Sequence, residues 1–142
     1  MNPKHVKSIL TQIREELQSY AIRNHRYYGV RDLNCMCGIG AYLTFQVLKR
    51  FGYDPVFHMN NDHCFVTLDG YWLDVTLTQF DPKCPPVWFK RKPYAPKDWR
   101  GKVHTSQHKA KTETKIKRLF RGWPRQQNPC RLAISRKLDI YE

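Results

Sequence analysis

Residues 63–76 read HCFVTLDGYWLDVT, two alternating runs joined by Asp69-Gly70. An Asp-Gly pair between such runs is a strong signal for a two-residue β-hairpin, because both loop positions need a left-handed backbone. With that loop, Leu68 faces Tyr71 and Thr67 faces Trp72, so Phe65 faces Asp74 and His63 faces Thr76. Side chains alternate between the two faces of a sheet. His63, Phe65, Thr67, Trp72, Asp74 and Thr76 therefore share one face, and the apolar set Cys64, Val66, Leu68, Leu73 and Val75 shares the other. His63 and Asp74 become diagonal neighbours about 7 Å apart at Cβ, within reach of an imidazole–carboxylate hydrogen bond. A one-residue slip would separate them onto opposite faces.

Working back from the hairpin, DPVFHMNND predicts a short strand and a turn. Before it, CGIGAYLTFQVLKRFG from Cys37 is apolar nearly all round until Lys49 and Arg50. That pattern predicts a buried central helix, with Gly52 supplying a left-handed stop. Gly38 and Gly40 in the first turns allow a close backbone approach. Further back, Val6, Ile9, Leu10, Ile13, Leu17, Tyr20 and Ala21 recur at helical spacing, with Asn2 as cap and Pro3 at the first position. The stretch NHRYYGVRDLN between the two helices reads as a loop.

Beyond the hairpin, DPKCPPVWFKRKPYAPKDW has too many prolines for a helix or an inner strand and predicts an extended surface wrap. Trp88, Phe89, Tyr94, Trp99, Phe120 and Trp123 alternate with Lys and Arg. They read first as anchors holding this part to the core, and second as stacking platforms for single-stranded nucleic acid. Basic helices are expected over Thr112–Arg121 and after Pro129, the latter capped by Asn128.

Chemistry converges on three residues. Cys37 stands where a loop becomes a helix, and N–H groups at a helix N-terminus favour the nucleophilic thiolate. Asp74 would hold the tautomer and orientation of His63. His63 would take the Cys37 proton and return it to a leaving amine. Gly38 leaves room for a substrate carbonyl, Asn34 or Tyr28 could supply an oxyanion donor, and Trp72 could wall a cleft on the same face.

The ordered set is similar to the transglutaminase-like branch of the papain-like cysteine enzymes. That family has a nucleophilic Cys opening a helix, often Ala one turn on and Gly closing the helix, matched here by Cys37, Ala41 and Gly52. It continues with a His-x-Trp/Phe-Val strand and an Asp-x-Thr strand, matched by His63, Phe65, Val66, Asp74 and Thr76; Gln79-Phe80 also resembles bacterial members. The likeness covers residues 33–82 and selects Cys37 over Cys35. It implies an α+β fold with a catalytic helix packed on a small antiparallel sheet. It also implies thioester chemistry on a peptide or protein: proteolysis, glutamine deamidation or acyl transfer to an amine. No cofactor or metal is required.

Composition bounds the alternatives. The chain has 142 residues, enough for one domain, with residues 83–142 a basic extension on a core of 1–82. A hydrophobic fraction of 41% excludes a disordered chain. No run approaches the ~20 apolar residues of a membrane span. Five cysteines, an odd number, and no apolar leader predict a soluble protein in a reducing cytoplasm. The net charge of +13 is concentrated in residues 83–142, which carry seventeen basic and four acidic side chains. Such a bias suits an acidic protein or nucleic acid as partner. Zinc is a rival for Cys35, Cys37, His63, Cys64 and Cys84, though neighbours His63 and Cys64 should point to opposite faces. Asp62 is expected in a turn, Cys64 in the core, and Cys84 and Cys130 without a role.

Overall fold

The computed structural model describes residues 1–23, 33, 36–95 and 103–122. Helix α1 spans Pro3–Arg23. Asn2 caps it, its Oδ1 accepting the His5 N–H at 3.2 Å. The face carrying Val6, Ile9, Leu10, Ile13, Leu17 and Ala21 is buried. Arg14 is buried with them and donates to the Val75 carbonyl at 2.9 Å and Thr78 Oγ1 at 2.8 Å. The first helix is thereby tied to the chain just past Asp74.

Helix α2 spans Cys37–Arg50 and buries every residue except Gln46, Lys49 and Arg50 to a high degree. It ends as a Schellman turn: Tyr53 N–H bonds the Leu48 carbonyl, Gly52 N–H bonds the Lys49 carbonyl, and Gly52 sits at φ +87°. At Gly40 the helix packs closely against the chain just past β3. A Cβ there would lie 2.9 Å from Thr76 Cγ2 and 3.3 Å from Val75 Cγ2.

Strands β1 (Val56–Met59), β2 (Cys64–Leu68), β3 (Tyr71–Asp74), β4 (Trp88–Lys90) and β5 (His108–Ala110) form one antiparallel sheet in the order β4-β3-β2-β1-β5. The β2–β3 loop has Asp69 at φ 49° and Gly70 at φ 82°. Leu68 pairs with Tyr71 and Thr67 with Trp72, the register expected from the turn. Cys64, Val66, Leu68, Leu73 and Val75 join the helices in the main core.

The C-terminal part is more than a surface wrap. Within the proline-rich segment, Trp88–Lys90 pairs with β3 as an edge strand, where the surrounding prolines cost no inner ladder bonds. Leu77, Cys84, Trp88 and Val103 form a second core, with Trp72, Phe80 and Tyr94 packed on it. Trp88 and Tyr94 are thus anchors, and Cys84 has a packing role that its proline neighbours concealed. Helix α3 (Glu113–Leu119) is capped by Thr112 and sends Ile116 into the main core, followed by Phe120 from the adjoining turn. Phe120 meets the Phe57 ring edge-on. The expected helix after Pro129, with Asn128 and Cys130, lies outside the described residues, as do Trp99 and Trp123. Among the described residues no helix is long and apolar enough to cross a membrane.

Candidate active site

Asn60 sets the start of the site. Its Oδ1 accepts the N–H groups of Asp62 and His63, each at 2.8 Å. Asp62 occupies this turn with an exposed side chain. The Asn60 amide nitrogen donates to the carbonyls of Val103 at 3.0 Å and Thr105 at 2.9 Å. One side chain therefore holds the backbone of His63 and the backbone on both sides of His104.

His63 is fully buried and its Nε2 donates to Asp74 Oδ2 at 2.5 Å. The diagonal contact expected from the hairpin is present. Phe80 meets the imidazole edge-on, ring centres 4.9 Å apart. Asp74 Oδ1 accepts the Thr76 N–H at 2.9 Å and the Thr76 hydroxyl at 3.2 Å. A second histidine, His104, donates from Nε2 to the same Asp74 Oδ2 at 2.8 Å. Both carboxylate oxygens therefore accept two hydrogen bonds, which is their ordinary capacity.

Cys37 opens α2, is 3% exposed, and interacts with both His63 and Cys64. Since Nε2 of His63 is committed to Asp74, Nδ1 is the nitrogen left for the thiol; it is buried without a hydrogen-bond partner. The Cys37 thiol is held well below its ordinary range, first by a hydrogen bond from Cys64 and then by His63, against the opposing effect of burial. Burial works against the charged form of His63, but the Asp74 carboxylate outweighs it and holds the imidazole above its ordinary value. Burial likewise opposes ionisation of Asp74, and His63 and His104 together hold the carboxyl below the usual range. Burial, then the neighbouring Cys37, pushes the Cys64 thiol up, so Cys64 keeps its proton and can donate it. These directions describe a thiolate–imidazolium pair backed by a carboxylate.

Gly38 lies buried in the first turn of α2, and Trp72 packs on the second core. Tyr28, Asn34 and Cys35 lie outside the described residues. Cys64 is in the core, as its place in the hairpin predicts, and its thiol also acts on Cys37. His104 and Asn60 join the site without any local sequence pattern that marks them.

His63, Asp74 and His104 are also a potential metal-ligand set, with donor atoms within 4.8 Å of one another. The hydrogen bonds fit such an ion poorly. His104 Nδ1 accepts the Tyr94 N–H at 2.9 Å, so its proton sits on Nε2, the nitrogen facing Asp74. The carboxylate already accepts four hydrogen bonds. No protein-family model, curated protein or solved structure matches the chain.

Proposed function

We propose that the chain is a cysteine-dependent amide-bond enzyme of the transglutaminase-like, papain-like kind, acting on a peptide or protein. The observation that carries this reading is the position of His63. One imidazole nitrogen is bonded to Asp74, and the other is the one left for a thiol held low.

In this reading the Cys37 thiolate attacks the amide carbonyl carbon, with N–H groups at the start of α2 facing the developing oxyanion. The imidazolium of His63 gives its proton to the departing nitrogen as the C–N bond breaks and a thioester forms. Water or an amine then attacks the thioester, His63 takes the proton, and the thiolate leaves. Asp74 keeps the imidazole oriented and stabilises its charge. Cys37 is only 3% exposed, so in this reading substrate access to the sulfur needs a local rearrangement around it.

The proteins of cells expressing wild type or Cys37→Ala, compared by mass spectrometry, test this reading. Wild type alone should produce new cleavage ends, glutamines heavier by about 1 Da, or crosslinks, the outcomes open to one thioester. Indistinguishable protein populations would count against it.

A second reading concerns the partner. Lys109, Lys111, Lys115, Lys117, Arg118 and Arg121 are all exposed on β5, α3 and the turns beside it. This basic surface supports recruitment of an acidic protein or nucleic acid. Nucleic-acid binding through it should weaken steeply with added salt; binding insensitive to salt would argue against it.

A further inference from the structure

We infer that His104 is a positioning residue of the site, acting on Cys37 through Asp74 and His63. The inference rests on the amide-enzyme reading and extends it to a fourth side chain. His104 is held through both ring nitrogens and through the backbone on either side of it. Its Nδ1 accepts the Tyr94 backbone N–H, its Nε2 donates to Asp74 Oδ2, and Asn60 holds the carbonyls before and after it. Asn60 also holds the His63 N–H, so the two histidines are set by one amide. Their rings lie 6.0 Å apart at 24°. A ring that only filled space would need neither a defined tautomer nor a carboxylate partner.

The consequence is electrostatic. Cys37 as thiolate, His63 as imidazolium and Asp74 as carboxylate carry one net negative charge in a buried site. His104 turns the positive end of an N–H dipole toward that charge. Other titratable groups nearby are Cys64 on β2, His58 on β1, and Cys84 and Tyr94 in the covering segment. Lys109 acts on His58, and Asp81 and Lys90 act on Cys84. Among the described residues, His63, His104 and Thr76 supply the hydrogen bonds to the Asp74 carboxylate. Removing the His104 dipole makes loss of any proton from the site harder, so the thiolate forms only at higher pH.

Site-resolved iodoacetamide labelling of Cys37 against pH tests this in wild type, His104→Phe, His104→Gln and His63→Ala. His104→Phe keeps an aromatic ring without the donor and should move the labelling midpoint up by about one pH unit. His104→Gln restores an N–H donor and should bring the midpoint most of the way back. If both variants titrate like wild type while His63→Ala does not, the His104 inference fails alone. If wild-type Cys37 titrates as an ordinary thiol and His63→Ala changes nothing, the enzyme reading fails and takes this inference with it. Should the variants not fold, imidazole nitrogen NMR of the intact wild-type chain decides. A His104 proton on Nε2 supports the inference, and one on Nδ1 overturns it.

Discussion

His63, just before β2, and His104, between β4 and β5, donate to the same oxygen of Asp74, at 2.5 and 2.8 Å. One carboxylate oxygen thus joins the hairpin that carries His63 to the segment that carries His104. Asn60 braces this join, its two ends bonding both sides of it.

Asn60→Ala removes hydrogen bonds to two N–H groups and two carbonyls at once. The expected cost is about 2–4 kcal/mol, since each bond contributes modestly and buried groups left unpaired add to the loss. Urea unfolding measures it. A loss within ~0.5 kcal/mol would show that the two histidine-bearing segments do not depend on this amide.

Gly40→Ala should be costly for a different reason. The new methyl group lies 2.9 Å from Thr76 Cγ2, and Thr76 is bonded to Asp74. Overpacking of this kind costs about 1–3 kcal/mol, and the displacement of Thr76 should also slow Cys37 labelling. Gly52→Ala is the contrast: it faces open space, and only its φ of +87° opposes a side chain. It should cost about 1 kcal/mol and leave Cys37 labelling unchanged. Equal labelling in the two variants would contradict the close packing assigned to Gly40.

Cys64→Ala isolates the strongest influence on the Cys37 thiol. The Cys64 hydrogen bond is the largest effect lowering the Cys37 thiol. Its loss should raise the thiol's pKa. Labelling at a pH below that value should then slow by about tenfold for every pH unit the midpoint climbs. Unchanged labelling would mean that His63 and the helix terminus suffice.

Stability against pH should show a plateau. Cys37, held low, contributes stability above the ordinary thiol value of 9.0 and loses it as pH falls through its lowered folded value. His63, held high, contributes below the ordinary imidazole value of 6.5 and loses it as pH rises through its raised folded value. Between 6.5 and 9.0 the folded chain carries thiolate and imidazolium, and the unfolded chain carries thiol and imidazole, so both bind equal protons. Stability falls on the acid side, where burial of neutral His58 adds to the loss, and again on the alkaline side. A steady slope across 6.5–9.0 in urea unfolding would contradict the paired charges.

Much of this is legible locally. The Asp69-Gly70 loop sets the hairpin register, and that register alone brings His63 to Asp74. Helical spacing marks α1 and α2 because each buries a continuous face. His104 is not legible: it lies 30 residues past Asp74, in a segment without periodicity, and reaches the site only after the covering chain packs. Strands β4 and β5 are three residues each, too short for an alternating pattern, and form on edges supplied by β3 and β1. Cys64 shows only its core position in the sequence, since a thiol–thiol contact leaves no mark on spacing.

The most direct measurement is the labelling rate of Cys37 as pH is raised, read by mass spectrometry at that residue alone, in wild type and His63→Ala. Wild-type sulfur should react at a pH where an ordinary thiol is still protonated, and His63→Ala should move this onset upward. Onsets that coincide with each other and with an unfolded thiol would contradict it.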